Sequence, residues 1–171
     1  MKQLPIKESY KAGDNLYAGV YPYYVDPREG LERVQQFIDF GMETFIDLTH
    51  PTDNLFSYKQ HLPKAIEHRP FPVIDYTVPK LPLLKKIHEI IDPEKKTYIH
   101  CIGGYDRTSI VVATYFAYEN PALTLEMIKQ KFLAKFLHYP VRKRHNYRAS
   151  LLFSHWDVIT KYQQYLTCKT K

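Results

Sequence analysis

The sequence has few of the residues and runs that mark secreted or membrane-spanning proteins. Only two of its 171 residues are cysteines, Cys101 and Cys168, and they lie too far apart along the chain to suggest a disulfide framework. No stretch approaches the ~20 apolar residues of a transmembrane helix, and residues 1–5 lack the apolar segment of a secretory signal. We therefore expect a cytoplasmic protein whose thiols stay reduced.

Metal-binding patterns are also missing. None of the eight histidines shows the spacing of two histidines four apart beside a glutamate, so we expect no metal and no other cofactor. Acidic residues are absent between positions 127 and 156, where seven basic residues occur, among them the cluster Arg142, Lys143 and Arg144. This segment is either a solvated basic face or a surface for a polyanionic substrate or an acidic membrane.

The charge and length of the chain indicate which kinds of partner it favours and how many domains it forms. The net charge is +6 and the pI is about 9.1, which favours anionic partners such as phosphorylated substrates, acidic membranes or nucleic acid. A length of 171 residues with 44% apolar residues predicts one globular domain over residues 1–171, with a core from about 13 to 166.

Short apolar runs alternate with stretches of helical periodicity along the chain. This alternation predicts an α/β fold in which helices flank a central, mostly parallel sheet. Residues 1–15 are polar and predict no strand or helix. The predicted strands cover residues 16–21, 44–48, 70–74 and 97–100. The predicted helices cover residues 27–40, 83–91, 107–119 and 124–136, with a last one from about 146.

One loop, between the last predicted strand and an apolar helix, carries residues suited to phosphate chemistry. His100 and Cys101 end the strand, and five residues, including Gly103 and Gly104, separate Cys101 from Arg107. Helix N-termini bind anions, glycines allow the positive φ angles that let N–H groups converge, and arginine matches phosphate in bidentate fashion. The same positive field favours a thiolate, which is a nucleophile for phosphoryl transfer. Alternatively, Cys101 is a buried core residue and the glycines only turn the chain.

His100-Cys101, five residues and Arg107-Thr108 together resemble the signature loop of the cysteine-dependent protein tyrosine and dual-specificity phosphatases. Segments 16–22, 45–49 and 71–79 are similar, in that order, to small single-domain members of the group. The resemblance implies a dual-specificity-phosphatase-like fold and a phosphocysteine intermediate formed without a metal.

The resemblance also implies a role for each residue of the loop. Cys101 is the nucleophile and Arg107 binds the phosphate. Thr108 donates a hydrogen bond from its hydroxyl to the sulfur of Cys101, and His100 supports the loop from behind. The remaining loop positions bind the substrate through their backbone: Ile102, Gly103, Gly104, Tyr105 and Asp106.

The reaction also needs an acid that protonates the leaving group. Asp75 follows a predicted strand and precedes the loop by one helix and one strand, which puts it at the same sheet edge as Cys101. Asp53 lies in a loop that could also reach the bound phosphate, and Asp47 lies within a strand. Asp92 lies at the start of the strand that leads to Cys101, which is the end away from the phosphate. The resemblance implies Asp75, because related proteins carry their acid in the segment matching 71–79.

The sequence leaves more than one substrate class open. We place phosphotyrosine proteins first, because dephosphorylating them is the broadest activity of the resembling group. Asp106, where glycine is common, resembles phosphoinositide-directed members; it stabilises the loop, serves as an auxiliary acid or shapes selectivity at the rim. The same residues would also suit an inositol phosphatase, an RNA 5′-phosphatase or an inactive phosphate-binding module. We do not expect nucleic acid as the main partner.

Overall fold

A five-stranded sheet organises the computed structural model, which describes residues 4–23, 26–136 and 156–168. Its strands are β1 (Ser9–Lys11), β2 (Leu16–Gly19), β3 (Thr44–Asp47), β4 (Glu67–Pro70) and β5 (Thr97–His100). They lie side by side in the order β1-β2-β5-β3-β4, and only β1 runs antiparallel to its neighbour. The predicted α/β fold with a mostly parallel central sheet is therefore confirmed.

Among the described residues, five α-helices cover the two faces of this sheet. They are α1 (Pro27–Asp39), α2 (Leu81–Glu89), α3 (Asp106–Glu119), α4 (Leu125–Phe136) and α5 (Trp156–Cys168). Side chains alternate along each strand, so Phe45 and Tyr98 pack with Phe37 of α1 on one face. Ile46 and Ile99 point to the other face, where the cores of α2 to α5 meet them.

The central helix and α1 form for different reasons. Helix α3 is buried over most of its circumference, from Ile110 to Ala117, which matches its almost wholly apolar sequence. Helix α1 is amphipathic and has clear end signals. The Asp26 side chain accepts the N–H of Arg28 (2.8 Å), Pro27 occupies the first turn, and Gly41 takes a φ of +80° just after the helix.

Two of the observed strands differ from the prediction. Strand β4 spans Glu67–Pro70 instead of 70–74, because it is an edge strand whose partly exposed residues lack the apolar signal of a buried strand. Strand β1 is not predicted at all, since three residues closed onto β2 give almost no pattern. With buried Tyr10 and Ile6, β1 extends the core before residue 13.

Two sequence predictions fall on parts of the chain that the structure does not describe. The basic cluster of Arg142, Lys143 and Arg144 lies outside the described residues, as do residues 146–155 of the last predicted helix. Among the described helices, none combines the length and the apolar character needed to cross a bilayer.

Candidate active site

Cys101 lies immediately after β5, the central strand, and its side chain is buried. Strands β2 to β5 are parallel, so the segments that follow them meet at one edge of the sheet, and the loop from Cys101 to Tyr105 is among them. Helix α3 begins directly after this loop, at Asp106, and directs its N-terminal N–H groups toward it. The strand, loop and helix therefore follow one another in the order expected from the sequence.

The two loop glycines serve different purposes. Gly104 has a φ of +71°, as expected, whereas Gly103 does not have a positive φ. A Cβ atom added to Gly103 would lie 2.9 Å from the ring of Tyr105, so this position leaves room for a neighbouring side chain. The prediction that both glycines adopt positive φ is thus correct for Gly104 only.

Arg107 is buried, and both of its terminal nitrogens contact oxygen atoms of the protein. Its Nη1 donates to Oδ2 of Asp53 (2.7 Å) and to the carbonyl of Val73 (3.0 Å), and its Nη2 lies 3.2 Å from Oδ1 of Asp75. Its Nε is buried and has no hydrogen-bond partner among the described residues. One edge of the guanidinium is therefore anchored to the protein, while Nε is available to an anion.

The structure brings both leading acid candidates to Arg107, but in different settings. Asp53 is fixed: its side chain is only 5% exposed, and its Oδ2 also accepts the backbone N–H of His50 (3.0 Å). Asp75 is 37% exposed and lies in a turn closed by Thr77, whose N–H and hydroxyl both donate to the carbonyl of Ile74. Of the two, Asp75 is the carboxylate that a substrate can reach.

The other two carboxylates lie away from Arg107. Asp47 accepts the N–H (2.9 Å) and hydroxyl (2.6 Å) of Thr49 and contacts Nε2 of His68 (3.1 Å). Burial raises the pKa of Asp47, but His100, His68 and Thr49 together more than offset this and hold the pKa well below its usual range. Asp92 caps a turn before β5 by accepting the N–H of Glu94 (2.9 Å), at the end opposite Cys101.

His100 lies fully buried behind the loop. Its Nε2 is 2.6 Å from the hydroxyl of Tyr58, and its ring lies near the Asp47 carboxylate. Burial lowers the pKa of His100 to about 4 despite the opposing charge of Asp47, so the imidazole is neutral near pH 7. This position suits the supporting role that the resemblance implies.

The remaining loop residues occupy the positions expected from their order. Thr108 is buried in the first turn of α3, and its Oγ1 lacks a hydrogen-bond partner within the part of the chain that the structure describes. Ile102 is exposed beside Cys101, whereas Tyr105 and Asp106 are half-buried at the start of α3. Tyr105 also packs edge-on against Phe136 of α4.

Sequence analysis missed Tyr58 and His68 as parts of the site. Both contact residues that lie far from them in sequence, and His68 belongs to the strand that the sequence pattern predicts a few residues too late. Only the register of β3 and β4, which pairs Phe45 with His68, brings His68 within reach of Asp47, and the sequence does not show that register.

No family profile matches the chain, but two curated viral proteins do. The protein 067L of Invertebrate iridescent virus 3, named as a tyrosine phosphatase, is 28% identical over 158 residues, covering 87% of this chain and 58% of the relative. The protein 197R of Invertebrate iridescent virus 6, named likewise, is 29% identical over 150 residues, covering 75% of this chain and 54% of the relative. The chain thus spans little more than half the length of these relatives.

Solved phosphatase structures share the fold. A mutant form of Tk-PTP superposes with a TM-score of 0.71 at 17% identity, covering 95% of this chain and 99% of that chain. PTPMT1 in complex with PI(5)P gives 0.68 at 16% identity, with coverage of 96% and 99%. The PP-IP phosphatase SIW14 from S. cerevisiae gives 0.59 at 18% identity, with coverage of 98% and 94%. At these identities the structural matches show the fold alone.

The sequence matches and the fold agree with the loop at the end of β5. The chain is therefore similar in sequence to two viral proteins named as tyrosine phosphatases, and it has the fold of protein tyrosine and dual-specificity phosphatases.

Proposed function

We propose that the chain is a phosphatase that hydrolyses phosphate monoesters through a phosphocysteine intermediate. The observation that carries the proposal is the arrangement around Arg107, which lies in the first turn of the helix that follows the Cys101 loop and is paired with the accessible carboxylate of Asp75. A nucleophile, a phosphate-binding cation and an acid are thus available at one sheet edge, which is what phosphoryl transfer to a thiolate requires.

Substrate binding follows from the donors that the fold leaves unsatisfied. Asp53 and the carbonyl of Val73 hold Nη1 of Arg107, so Nε and Nη2 form the edge that can bind two phosphate oxygens. The backbone N–H groups of the loop supply further donors. In binding Nη2, the phosphate competes with Asp75, and the displaced carboxyl group can then turn toward the leaving oxygen.

The proposed reaction has two displacements at phosphorus. The thiolate of Cys101 forms an S–P bond while the P–O bond to the leaving group breaks, and protonated Asp75 gives its proton to the departing oxygen. The Asp75 carboxylate then accepts a proton from water, whose oxygen attacks the phosphocysteine. Phosphate leaves as the S–P bond breaks, and the hydroxyl of Thr108 donates a hydrogen bond to the departing thiolate.

Two substrate classes have support. The matching viral relatives are named as tyrosine phosphatases, which favours phosphotyrosine proteins. The structural neighbours PTPMT1, bound to PI(5)P, and SIW14, a PP-IP phosphatase, favour a phosphoinositide or an inositol phosphate. The shared chemistry is a phosphate monoester or anhydride on a substrate that reaches a buried cysteine.

The first test measures phosphate release in EDTA from an activated aryl phosphate, phosphotyrosine and phosphoserine peptides, phosphoinositides and a 5′-triphosphate RNA. We expect Cys101→Ser to lower the rate at least roughly 10³-fold, because no other group replaces the nucleophile. Cys168→Ser is the matched control, since Cys168 is exposed at the end of α5, and it should retain the wild-type rate. If the wild type and Cys101→Ser are equally inert on every substrate, a phosphate-binding module is the better account.

A further inference from the structure

Exposed apolar side chains are concentrated around the entrance to the candidate active site. Nine large hydrophobic side chains are exposed in the described part of the chain, and six of them form what we call the apolar rim. The rim consists of Leu55, Phe56, Ile74, Tyr76, Val78 and Ile102. Phe56 and Tyr76 are the most exposed, at 66% and 79%. Exposed apolar patches of this kind mark interaction surfaces.

Contacts to the site residues place the rim beside Arg107. Leu55 and Phe56 follow Asp53, which binds Nη1 of Arg107, whereas Asp75, which binds Nη2, lies between Ile74 and Tyr76. The two loops thus meet at the guanidinium, since the carbonyl of Val73 in the second loop also binds Nη1.

Ile102 and Phe56 are tied together by one residue. The N–H of Tyr21 donates to the carbonyl of Ile102 (2.9 Å), and its hydroxyl donates to the carbonyl of Phe56 (2.9 Å). The rim therefore combines side chains from three loops, two of which Tyr21 holds together.

The charge of the rim loops complements an anionic surface. Residues 48–66 and 71–80 carry three lysines, Lys59, Lys64 and Lys80, whereas their two carboxylates, Asp53 and Asp75, are both paired with Arg107. Apolar side chains that insert at the headgroup boundary, together with lysines that attract anionic lipids, are the combination found on proteins that bind a membrane interface.

We propose that the apolar rim docks on an anionic lipid bilayer, so that Cys101 reaches the phosphorylated headgroup of a membrane lipid. This inference rests on the proposed phosphatase function and assigns its substrate to the phosphoinositide class. A bilayer is favoured over a phosphopeptide because the rim joins two strongly exposed aromatic rings to lysines on the same loops, which is the combination of an interfacial membrane surface.

The test compares one headgroup in two physical forms. We measure the rate of hydrolysis of a long-chain phosphoinositide in vesicles of phosphatidylcholine and phosphatidylserine. We then take its ratio to the rate for the short-chain, water-soluble counterpart. We expect a double variant, Phe56→Ser with Tyr76→Asn, to lower this ratio at least about 10-fold, because two inserting side chains are lost. Asparagine suits position 76, where φ is +57°.

Met127→Ser is the matched control, because Met127 is 51% exposed on α4, beyond the end of α3 that is remote from the loop. It should leave the ratio unchanged. An unchanged ratio in the double variant would overturn the proposal. So would a loss of phosphotyrosine-peptide hydrolysis with vesicle hydrolysis intact, which would assign the rim to a protein substrate.

A binding measurement separates this inference from the proposed function. Cys101→Ser, with and without the rim substitutions, is sedimented with phosphoinositide-containing vesicles and with phosphatidylcholine vesicles. Rim-dependent binding to the anionic vesicles alone supports the docking surface even if no substrate is hydrolysed. If the wild type hydrolyses the activated aryl phosphate but Cys101→Ser binds no vesicles, the phosphatase proposal stands and the membrane proposal fails.

Discussion

The guanidinium of Arg107 has two carboxylate neighbours that differ in exposure and in their own restraints. Asp53 is buried and bound a second time by the N–H of His50, so it can hold Arg107 but cannot readily move to a leaving group. Asp75 makes the longer contact and is more exposed, which leaves it free to move when a phosphate takes its place at Nη2. We therefore assign positioning to Asp53 and proton transfer to Asp75.

This assignment predicts different responses to leaving-group chemistry. Asp75→Asn should slow hydrolysis of an alkyl phosphate by about 10² to 10⁴-fold and that of a nitrophenyl phosphate much less, because nitrophenolate departs without a proton. Asp53→Asn should slow both substrates equally, by roughly 10²-fold, because it misplaces Arg107. Steady-state kinetics with a series of leaving groups measures the difference, and the opposite pattern would exchange the two roles.

The loop between β5 and α3 depends on one left-handed residue, Gly104. Its φ of +71° turns the backbone so that successive N–H groups can face an anion, and a side chain there is strained. Gly41, which follows α1, has a similar φ of +80° but precedes β3, at the sheet edge opposite the site. Comparing substitutions at these two glycines therefore distinguishes the loss of stability caused by backbone strain from an effect on catalysis.

Gly104→Ala and Gly41→Ala should each cost about 1–2 kcal/mol in stability because each forces alanine into the left-handed region. The melting temperature should fall by about 2–8 °C in both variants. Only Gly104→Ala should also lose activity, by roughly 10²-fold, because it displaces the phosphate-binding N–H groups. Calorimetry combined with aryl phosphate hydrolysis tests this. Equal activities in the two variants would mean that the loop tolerates the change.

A histidine, His88, is buried in the larger of the two cores, where α2 to α5 pack on the sheet. His88 of α2 is buried between helices, with Nδ1 2.8 Å from the hydroxyl of Tyr162 in α5 and Nε2 3.1 Å from the carbonyl of Val111 in α3. Burial lowers the pKa of His88 from 6.5 to about 3, although the bond to Val111 opposes this. Three helices are thus joined through a neutral imidazole.

Acid should therefore destabilise the fold well above the pKa of folded His88. Between pH 6.5 and about 3 the unfolded chain binds the proton that folded His88 excludes, so the free energy of unfolding falls as the pH falls. His88 contributes about 1.4 kcal/mol per pH unit to this slope.

Urea unfolding from pH 6.5 to 4.5 measures the slope. His88→Leu should reduce it by that amount, whereas Tyr162→Phe, which keeps the imidazole, should retain it. An unreduced slope in His88→Leu would show that different groups govern acid sensitivity.

Local patterns predicted the parts of the fold that depend on neighbours in sequence. The apolar run after Arg107 gave α3, and the cysteine, glycines and arginine gave the loop. Contacts between distant residues could not be predicted in the same way. The Arg107–Asp53 pair joins residues 54 positions apart, and the Tyr58–His100 bond joins residues 42 apart. Local propensity contains no information on such pairs, so the sequence indicates Asp53 as a candidate acid and not as a partner of Arg107.

The contacts that hold Arg107 have a consequence for how activity arises during folding. Asp53, Val73 and Asp75 come from segments that follow β3 and β4, so the guanidinium is oriented only after β3 has paired with β5 and β4 has paired with β3. Such pairings close long loops and form slowly compared with local helices. Recovery of hydrolysis in a refolding experiment is therefore a reporter of completed topology, and it should lag behind the recovery of helical circular dichroism.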